Sequence, residues 1–217
     1  DELFLRDCCI HAMEKAANYV YCLPQTEHVR KSIWDAINPD TGLKRIDEAF
    51  PPEIRHRKLE DRMMIEMPTI DDKLSNVLFT GSDNYTALRG MVGFIYYFSE
   101  WAFCDPGALG VIRPIVNRNG GMMRFITTSF GENHAYKMLV ENAGRPNWGV
   151  HLITNNAEHP LTSTHPQIHH GRSFAVSPAA ITDATIENIQ IHGAEVGPAV
   201  TTREYECTFE EIVAGSY

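Results

Sequence analysis

Residues 94–98, Phe-Ile-Tyr-Tyr-Phe, form the strongest strand pattern of the chain. Aromatic and β-branched side chains follow one another there without a polar residue between them, which predicts a strand that is buried on both faces. A strand of this kind requires neighbouring strands on both sides and helices above and below it. The run therefore predicts a central strand of a covered, mostly parallel sheet.

Further strand and helix patterns alternate along the chain. Strands are predicted at residues 19–23, 63–67, 77–79, 94–98, 122–127 and 150–153, and helices at residues 3–17, 25–37, 108–116, 134–142 and 180–191. The second and third strands flank a turn and predict a hairpin, whereas residues 43–62 read as an irregular excursion and residues 155–178 as a His- and Pro-rich loop. This alternation predicts a doubly wound α/β sheet. We expect one domain over residues 1–217, with the core sheet in residues 1–154 and a lid or linker in residues 155–217.

Composition restricts the classes of function. The 217 residues are 43% hydrophobic, and no apolar run reaches the length of a membrane-spanning helix. The formal net charge is −9, so any contact with nucleic acid requires a local basic patch or another domain. The five cysteines form no CxxC pair, and we expect them to be reduced and buried in a cytosolic protein.

Ser99 and Glu100 directly follow the central strand. Open α/β folds bind their ligands at the carboxyl edge of the sheet, where a glutamate can orient and deprotonate a water molecule aimed at a γ-phosphate. The alternative is a buried strand that ends in a solvated or helix-capping glutamate. The pattern alone leaves both interpretations open.

Thr127, Thr128 and Ser129 follow the next predicted strand and precede a glycine turn and a helix. Since parallel neighbours end at the same edge, we expect these hydroxyl groups near Glu100, where they can detect a γ-phosphate. The alternative is an ordinary strand-to-helix turn in which a serine or threonine caps the helix.

Five segments, taken together, resemble the ATPase domain of the terminase large subunit of tailed bacteriophages. Residues 98–102 resemble a Walker B motif with serine in place of aspartate, and Thr127-Thr128-Ser129 with Gly131-x-Asn133-His134 resembles the coupling motif. Leu88-Arg89-Gly90 resembles the basic turn before Walker B, and residues 21–34 resemble the strand and helix after the P-loop helix. Residues 203–209 with 215–217 resemble the segment that precedes the nuclease domain.

The resemblance implies a P-loop NTPase-like (RecA-like) fold, incomplete at its amino-terminal end, that uses ATP and Mg²⁺. It implies Glu100 as the catalytic base, Ser99 as a weak metal ligand, and Thr127, Thr128 and Ser129 as nucleotide-sensing residues. Arg89 would act on the nucleotide of a neighbouring subunit, or else it is a solvated turn residue. The implied partners are double-stranded DNA, the portal protein, the terminase small subunit and further copies in a ring, in the host cytoplasm and without a membrane.

No G-x-x-x-x-G-K-[ST] sequence occurs in these residues. The resemblance places that loop immediately before Asp1, with residues 3–17 as its helix, so these 217 residues alone are expected to be inactive as an ATPase. Two other functions stay open. One is a non-catalytic assembly or interaction module of the same fold, and the other is a helicase-like ATPase, which the turn at Gly131 disfavours.

Four histidines, with Glu158 adjacent, lie within a dozen residues of the predicted loop: His159, His165, His169 and His170. Imidazoles are zinc ligands, but this spacing matches no standard zinc motif. The alternative interpretation is a pH-sensitive surface loop.

Overall fold

The computed structural model of the chain describes residues 1–155, 158–172 and 178–209. These residues group into two units, the first spanning Asp1–Ile126 and the second beginning at Thr127. Residues 215–217, which carry part of the family resemblance, lie outside the described residues.

The first unit is built on a six-stranded sheet with the order β2-β3-β4-β1-β5-β6. Its strands are β1 Asn18–Leu23, β2 Arg57–Leu59, β3 Met64–Pro68, β4 Leu74–Gly81, β5 Gly93–Ser99 and β6 Met122–Ile126. Strands β4, β1, β5 and β6 pair in parallel, whereas β3 pairs antiparallel with β4, and β2 pairs antiparallel with β3 at the edge. The carboxyl ends of the four parallel strands therefore lie at one edge of the sheet.

Helices flank the sheet of this unit. They are α1 Glu2–Glu14, α2 Thr26–Val29, α3 Arg45–Ala49 and α4 Ala108–Asn119. A π-helical turn, Arg30–Trp34, continues α2, and short 3₁₀ segments cover Ser82–Gly90 and Trp101–Phe103.

Strands β1 and β5 have almost no exposed side chains, because both of their faces are covered. Tyr19, Tyr21 and Tyr97 pack in one cluster with α1 and Trp34. Since side chains alternate along a strand, Val20, Cys22, Tyr96 and Phe98 point to the opposite face, where they are also fully buried. The sheet is thus the middle layer of this unit.

Polar groups attach α1 to the sheet. Asp7 accepts hydrogen bonds from the Tyr97 hydroxyl (2.7 Å) and from the Arg124 guanidinium (2.9 Å). Nearer the end of α1, the Tyr19 hydroxyl lies 2.6 Å from the His11 carbonyl oxygen. A buried hydroxyl without a partner costs about 1–3 kcal/mol, so these contacts hold the helix in one register on the sheet.

The second unit contains a two-stranded parallel sheet and four helices among its described residues. The elements are α5 His134–Asn142, β7 His151–Thr154, α6 Pro160–Thr164, β8 His169–Arg172, α7 Pro178–His192 and α8 Gly197–Glu206. Val150, Leu152, Leu161 and Ile168 form a small core, against which Tyr136 and Leu139 of α5 pack.

The α/β fold class, the buried strand at residues 94–98, the hairpin of β3 and β4, and the parallel neighbour β6 are confirmed. The excursion at residues 43–62 was predicted wrongly, because it contains α3 and the edge strand β2. The predicted loop at residues 155–178 contains α6 and β8, whose short polar segments carry little hydrophobic periodicity. The predicted strand near residue 150 exists, but β7 pairs with β8 and not with the six-stranded sheet.

The cysteines within the described residues are all free thiols. Cys8, Cys9, Cys22 and Cys104 are buried, as expected, whereas Cys207 is half-buried. Burial raises the pKa of the Cys104 thiol to about 11, so this group is neutral at physiological pH.

Candidate functional site

Ser99 and Glu100 stand where β5 leaves the sheet, at the carboxyl edge that the sequence predicts. Ser99 is buried, whereas Glu100 is half-exposed. The backbone of Glu100 adopts the left-handed conformation, with φ 54° and ψ 46°. That conformation is unfavourable for a residue with a Cβ atom, and such strain is concentrated at functional sites. The turn therefore sets the direction in which this carboxylate leaves the strand.

Aromatic packing holds the strained turn in place. Trp101, the residue after Glu100, is buried and lies 5.0 Å, between ring centroids, from both Phe98 and Phe125. Phe98 and Phe125 are themselves stacked at 5.3 Å across β5 and β6. Rings at these separations contribute dispersion beyond their buried area, so the residues on both sides of Glu100 are anchored.

Asp1 is a member of this site that sequence reasoning missed. It precedes α1, and its carboxylate oxygen Oδ1 accepts hydrogen bonds from the Ser99 hydroxyl and from the Tyr21 hydroxyl, the latter at 3.1 Å. Aspartate at this position ordinarily caps its own helix, but the Asp1 side chain makes no capping bond to α1. The sequence signal for Asp1 was its position at the start of a helix. That position does not predict a contact with Ser99, which lies 98 residues further along the chain.

The three hydroxyl residues after β6 differ in their surroundings. β6 ends at Ile126, the register partner of Ser99. Thr127 and Thr128 are exposed, whereas Ser129 is buried and donates a 2.8 Å hydrogen bond to the Arg203 carbonyl oxygen of α8. These residues begin the second unit, and their proximity to Glu100 stays a prediction.

The turn after Ser129 is not capped by a hydroxyl residue. Asn133 caps α5, and its side-chain oxygen accepts from the backbone N–H groups of Ala135 and Tyr136. The Ser or Thr capping interpretation of the three hydroxyl residues is therefore wrong, because the amide of Asn133 already occupies that position.

Arg89 lies at the other edge of the sheet. It is exposed in the 3₁₀ segment that precedes β5, whereas Glu100 follows the end of that strand. Seven strand residues separate the two edges by about 20 Å. Arg89 and Arg118 line an open cavity of about 320 Å³ at this amino edge. Arg89 therefore does not reach a ligand beside Glu100 of the same chain.

The histidine cluster does not form a metal site within the described residues. His159 is buried, and its Nδ1 atom accepts from the Leu161 N–H while Nε2 lies 3.2 Å from the Cys207 carbonyl oxygen. Both ring nitrogens are thus occupied by the backbone. Across the part of the chain that the structure describes, no group of three His, Cys, Asp or Glu side chains is arranged to hold a metal ion.

Solved structures of phage large terminases share this arrangement of strands and helices. The large terminase of a thermophilic bacteriophage, solved with ATP-γ-S, superimposes with a TM-score of 0.57 and 12% identity over 95% of this chain. The ATPase domain of the Thermus phage P74-26 large terminase gives a TM-score of 0.57 and 14% identity, also over 95%. The fold is that of a large-terminase ATPase domain. The P-loop NTPase-like fold expected from the sequence is thereby confirmed.

The likeness to terminases is one of structure. The chain spans 44% of the terminase solved with ATP-γ-S and 81% of the P74-26 ATPase domain. No protein-family model matches the chain, and no curated protein matches it in sequence. The first of these terminases has also been solved with ADP, so nucleotides bind to a protein of this fold. Among the described helices of our chain, none is long and apolar enough to cross a membrane.

Replacement of Glu100 by glycine should leave the first unit as stable as before, or stabilise it by up to about 1 kcal/mol, because glycine adopts positive φ without strain. Urea denaturation measures this change. As a control, Arg113→Gly on the exposed face of α4 should destabilise by about 1 kcal/mol, since no backbone strain is relieved there. A clear loss of stability in Glu100→Gly would show that the glutamate supports the fold.

Burial lowers the pKa of His159 below its usual value, and the contact with the Cys207 carbonyl opposes this effect only in part. The folded state therefore favours the neutral ring. Its contribution to stability is complete above the pKa of an unfolded histidine, about 6.5, and is lost as the pH falls through the folded pKa. Thermal melting should therefore show a fall in the stability of the wild type between about pH 7.5 and 5. This fall should be smaller in His159→Asn, and it should be unchanged in the exposed control His192→Asn. Equal pH dependence in all three proteins would contradict this assignment.

Proposed function

We propose that this chain is the ATPase motor domain of a phage terminase large subunit, which powers the translocation of viral DNA into procapsids. The observation that carries the proposal is the position of Glu100. It stands on a strained turn at the carboxyl edge of the sheet, in a fold that solved terminases share. Parallel α/β folds bind ligands at this edge, and backbone strain is concentrated at functional sites.

Glu100 would act as the general base of ATP hydrolysis. Its carboxylate is half-exposed and can accept a proton from a water molecule positioned for attack on the γ-phosphate. The αL turn and the buried ring of Trp101 limit the directions that this side chain can take, so little ordering is needed at the moment of reaction.

The nucleotide would be bound with Mg²⁺, which supplies positive charge to the phosphate oxygens. The donor chemistry of the site fits this ion, because Ser99 and Asp1 present hydroxyl and carboxylate oxygens beside each other. Magnesium in nucleotide sites takes one or two protein ligands and completes its shell with phosphates and water. The absence of a three-ligand cluster in the described residues is therefore compatible with this role.

Thr127, Thr128 and Ser129 would transmit the nucleotide state. Thr127 and Thr128 are exposed, and the Thr127 hydroxyl donates a 2.9 Å hydrogen bond to the Thr128 carbonyl oxygen, whereas Ser129 is bonded to α8. We infer that Ser129 anchors the segment and that the two threonines respond to the nucleotide. A change at the threonines would then reach α8 through the Ser129 hydrogen bond.

The motor would work as a homo-oligomeric ring on double-stranded DNA, with the portal protein and the terminase small subunit, in the host cytoplasm. Arg89 supports the ring, because it is exposed and lies about 20 Å from the edge that carries Glu100. An arginine in that position is able to stabilise a transferring phosphoryl group only on a neighbouring copy. The net charge of −9 makes a local basic surface or another domain necessary for DNA contact.

Glu100→Gln should preserve ATP binding and lower hydrolysis by about 10²- to 10⁴-fold, because the amide keeps the shape but takes up no proton. The measurement is single-turnover hydrolysis together with nucleotide affinity, in protein that carries a phosphate-binding loop before Asp1. The exposed control Glu141→Gln should retain full activity. Wild-type turnover by Glu100→Gln would assign the glutamate a structural role, and a lack of nucleotide binding by the unchanged protein would favour the non-catalytic module.

Arg89→Ala should leave nucleotide binding by monomers unchanged and lower the ATPase rate of assembled rings by about 10³-fold or more. Arg89→Lys should restore little, since an ammonium lacks the planar fork of the guanidinium. Mixing Arg89→Ala with Glu100→Gln subunits should recover part of the rate, because some interfaces then contain both intact groups. The exposed control Arg113→Ala should behave as wild type. No recovery on mixing would contradict a role of Arg89 across the subunit interface.

A further inference from the structure

The contact between Asp1 and Ser99 joins the start of α1 to the end of β5. Ser99 donates its hydroxyl hydrogen to Asp1 Oδ1, and the Tyr21 hydroxyl donates to the same oxygen. Within the described residues, the other oxygen of this carboxylate, Oδ2, accepts no hydrogen bond. Asp1 is half-buried, so one carboxylate oxygen is fixed while the second stays available at this edge of the sheet.

The hydrogen bonds explain the position of Asp1 but not its charge. Asparagine or serine would accept from Ser99 and Tyr21 without bringing a negative group to the site. Asp1 also forgoes the capping bonds that an aspartate ordinarily makes at a helix start. Together with Glu100, it makes this edge acidic where the proposed function requires a triphosphate to bind. Carboxylates and phosphates at one edge repel each other unless a cation lies between them.

In P-loop sites, one hydroxyl and one carboxylate hold the Mg²⁺ ion that lies between the protein and the phosphates. The hydroxyl belongs to the serine or threonine at the end of the phosphate-binding loop, and the carboxylate to an aspartate at the end of the Walker B strand. Here the strand ends in the hydroxyl of Ser99, and the carboxylate of Asp1 stands at the start of the helix. The same two chemical groups are therefore hydrogen-bonded to each other with their positions in the chain exchanged.

We propose that Asp1 is the carboxylate ligand for the magnesium ion of the bound nucleotide, replacing the acidic group that Ser99 does not provide. Ser99 and Tyr21 act as positioning residues, since their hydroxyls hold Oδ1 and leave Oδ2 for the cation. This inference rests on the proposed function, because it requires a nucleotide at the same edge of the sheet.

The test measures the affinity of a fluorescent ATP analogue in EDTA and in Mg²⁺, using protein that carries its phosphate-binding loop. Mg²⁺ should strengthen the binding of the analogue to the wild type, and in Asp1→Asn this increase in affinity should be smaller by about tenfold or more. The affinity in EDTA should stay equal or increase, because repulsion between the carboxylate and the phosphates is removed. The exposed control Asp71→Asn should change neither affinity. A purely structural role of Asp1 would not separate the two measurements in this way.

An exchanged variant gives the test a second arm. Asp1→Ser combined with Ser99→Asp keeps the hydroxyl and carboxylate pair, and it should recover the strengthening by Mg²⁺ that Asp1→Ser alone loses. This arm holds even if Asp1→Asn does not fold, which thermal melting will reveal. The inference is overturned if the nucleotide affinity of wild type and Asp1→Asn depends equally on Mg²⁺, or if the exchanged variant does not recover that dependence. In either case, nucleotide binding by the wild type still upholds the proposed function. A wild-type protein that binds no nucleotide overturns the proposed function itself.

Discussion

The burial of β1 and β5 on both faces is the constraint on which the first unit depends. Their backbone N–H and C=O groups are removed from water and must be paired by neighbouring strands, while both faces must be covered by apolar side chains. Charged side chains are consequently excluded from the length of these strands. A carboxylate follows directly where β5 leaves the sheet, at Glu100 beside Ser99, which explains why a site forms there.

Covering the sheet also places α1. Asp7 binds Tyr97 and Arg124, so the helix docks on β5 and β6 in a defined register. Because α1 runs back across the sheet before β1, its first residue arrives at the carboxyl edge, where Asp1 meets Ser99. The contact that we assign to metal binding is therefore a consequence of how the helix packs along its whole length.

Glu100 shows how stability and chemistry are balanced at this edge. A left-handed turn costs about 1–2 kcal/mol for a residue with a Cβ atom, and a glycine would relieve that cost. The packed rings of Phe98, Trp101 and Phe125 supply stabilisation on both sides of the turn. The strained turn is thus maintained by packing that does not involve the carboxylate. The Glu100 side chain is therefore not needed for the packing of this edge.

The sequence by itself determined the strands of the covered sheet and the residues at their ends. Uninterrupted apolar runs such as residues 94–98 are stable only when buried on both faces, so the α/β class, the hairpin and the position of Glu100 were all predictable. The pairing of β7 with β8, the short elements α3, α6 and β2, and the bond between Ser129 and α8 were decided by tertiary structure. These segments are too short or too polar to carry a periodic signal, and their partners are distant in the chain.

The same reason applies to Asp1 and Ser99. Local sequence encodes which face of a strand or helix is apolar, whereas a contact across 98 residues exists only once packing has brought the two ends together.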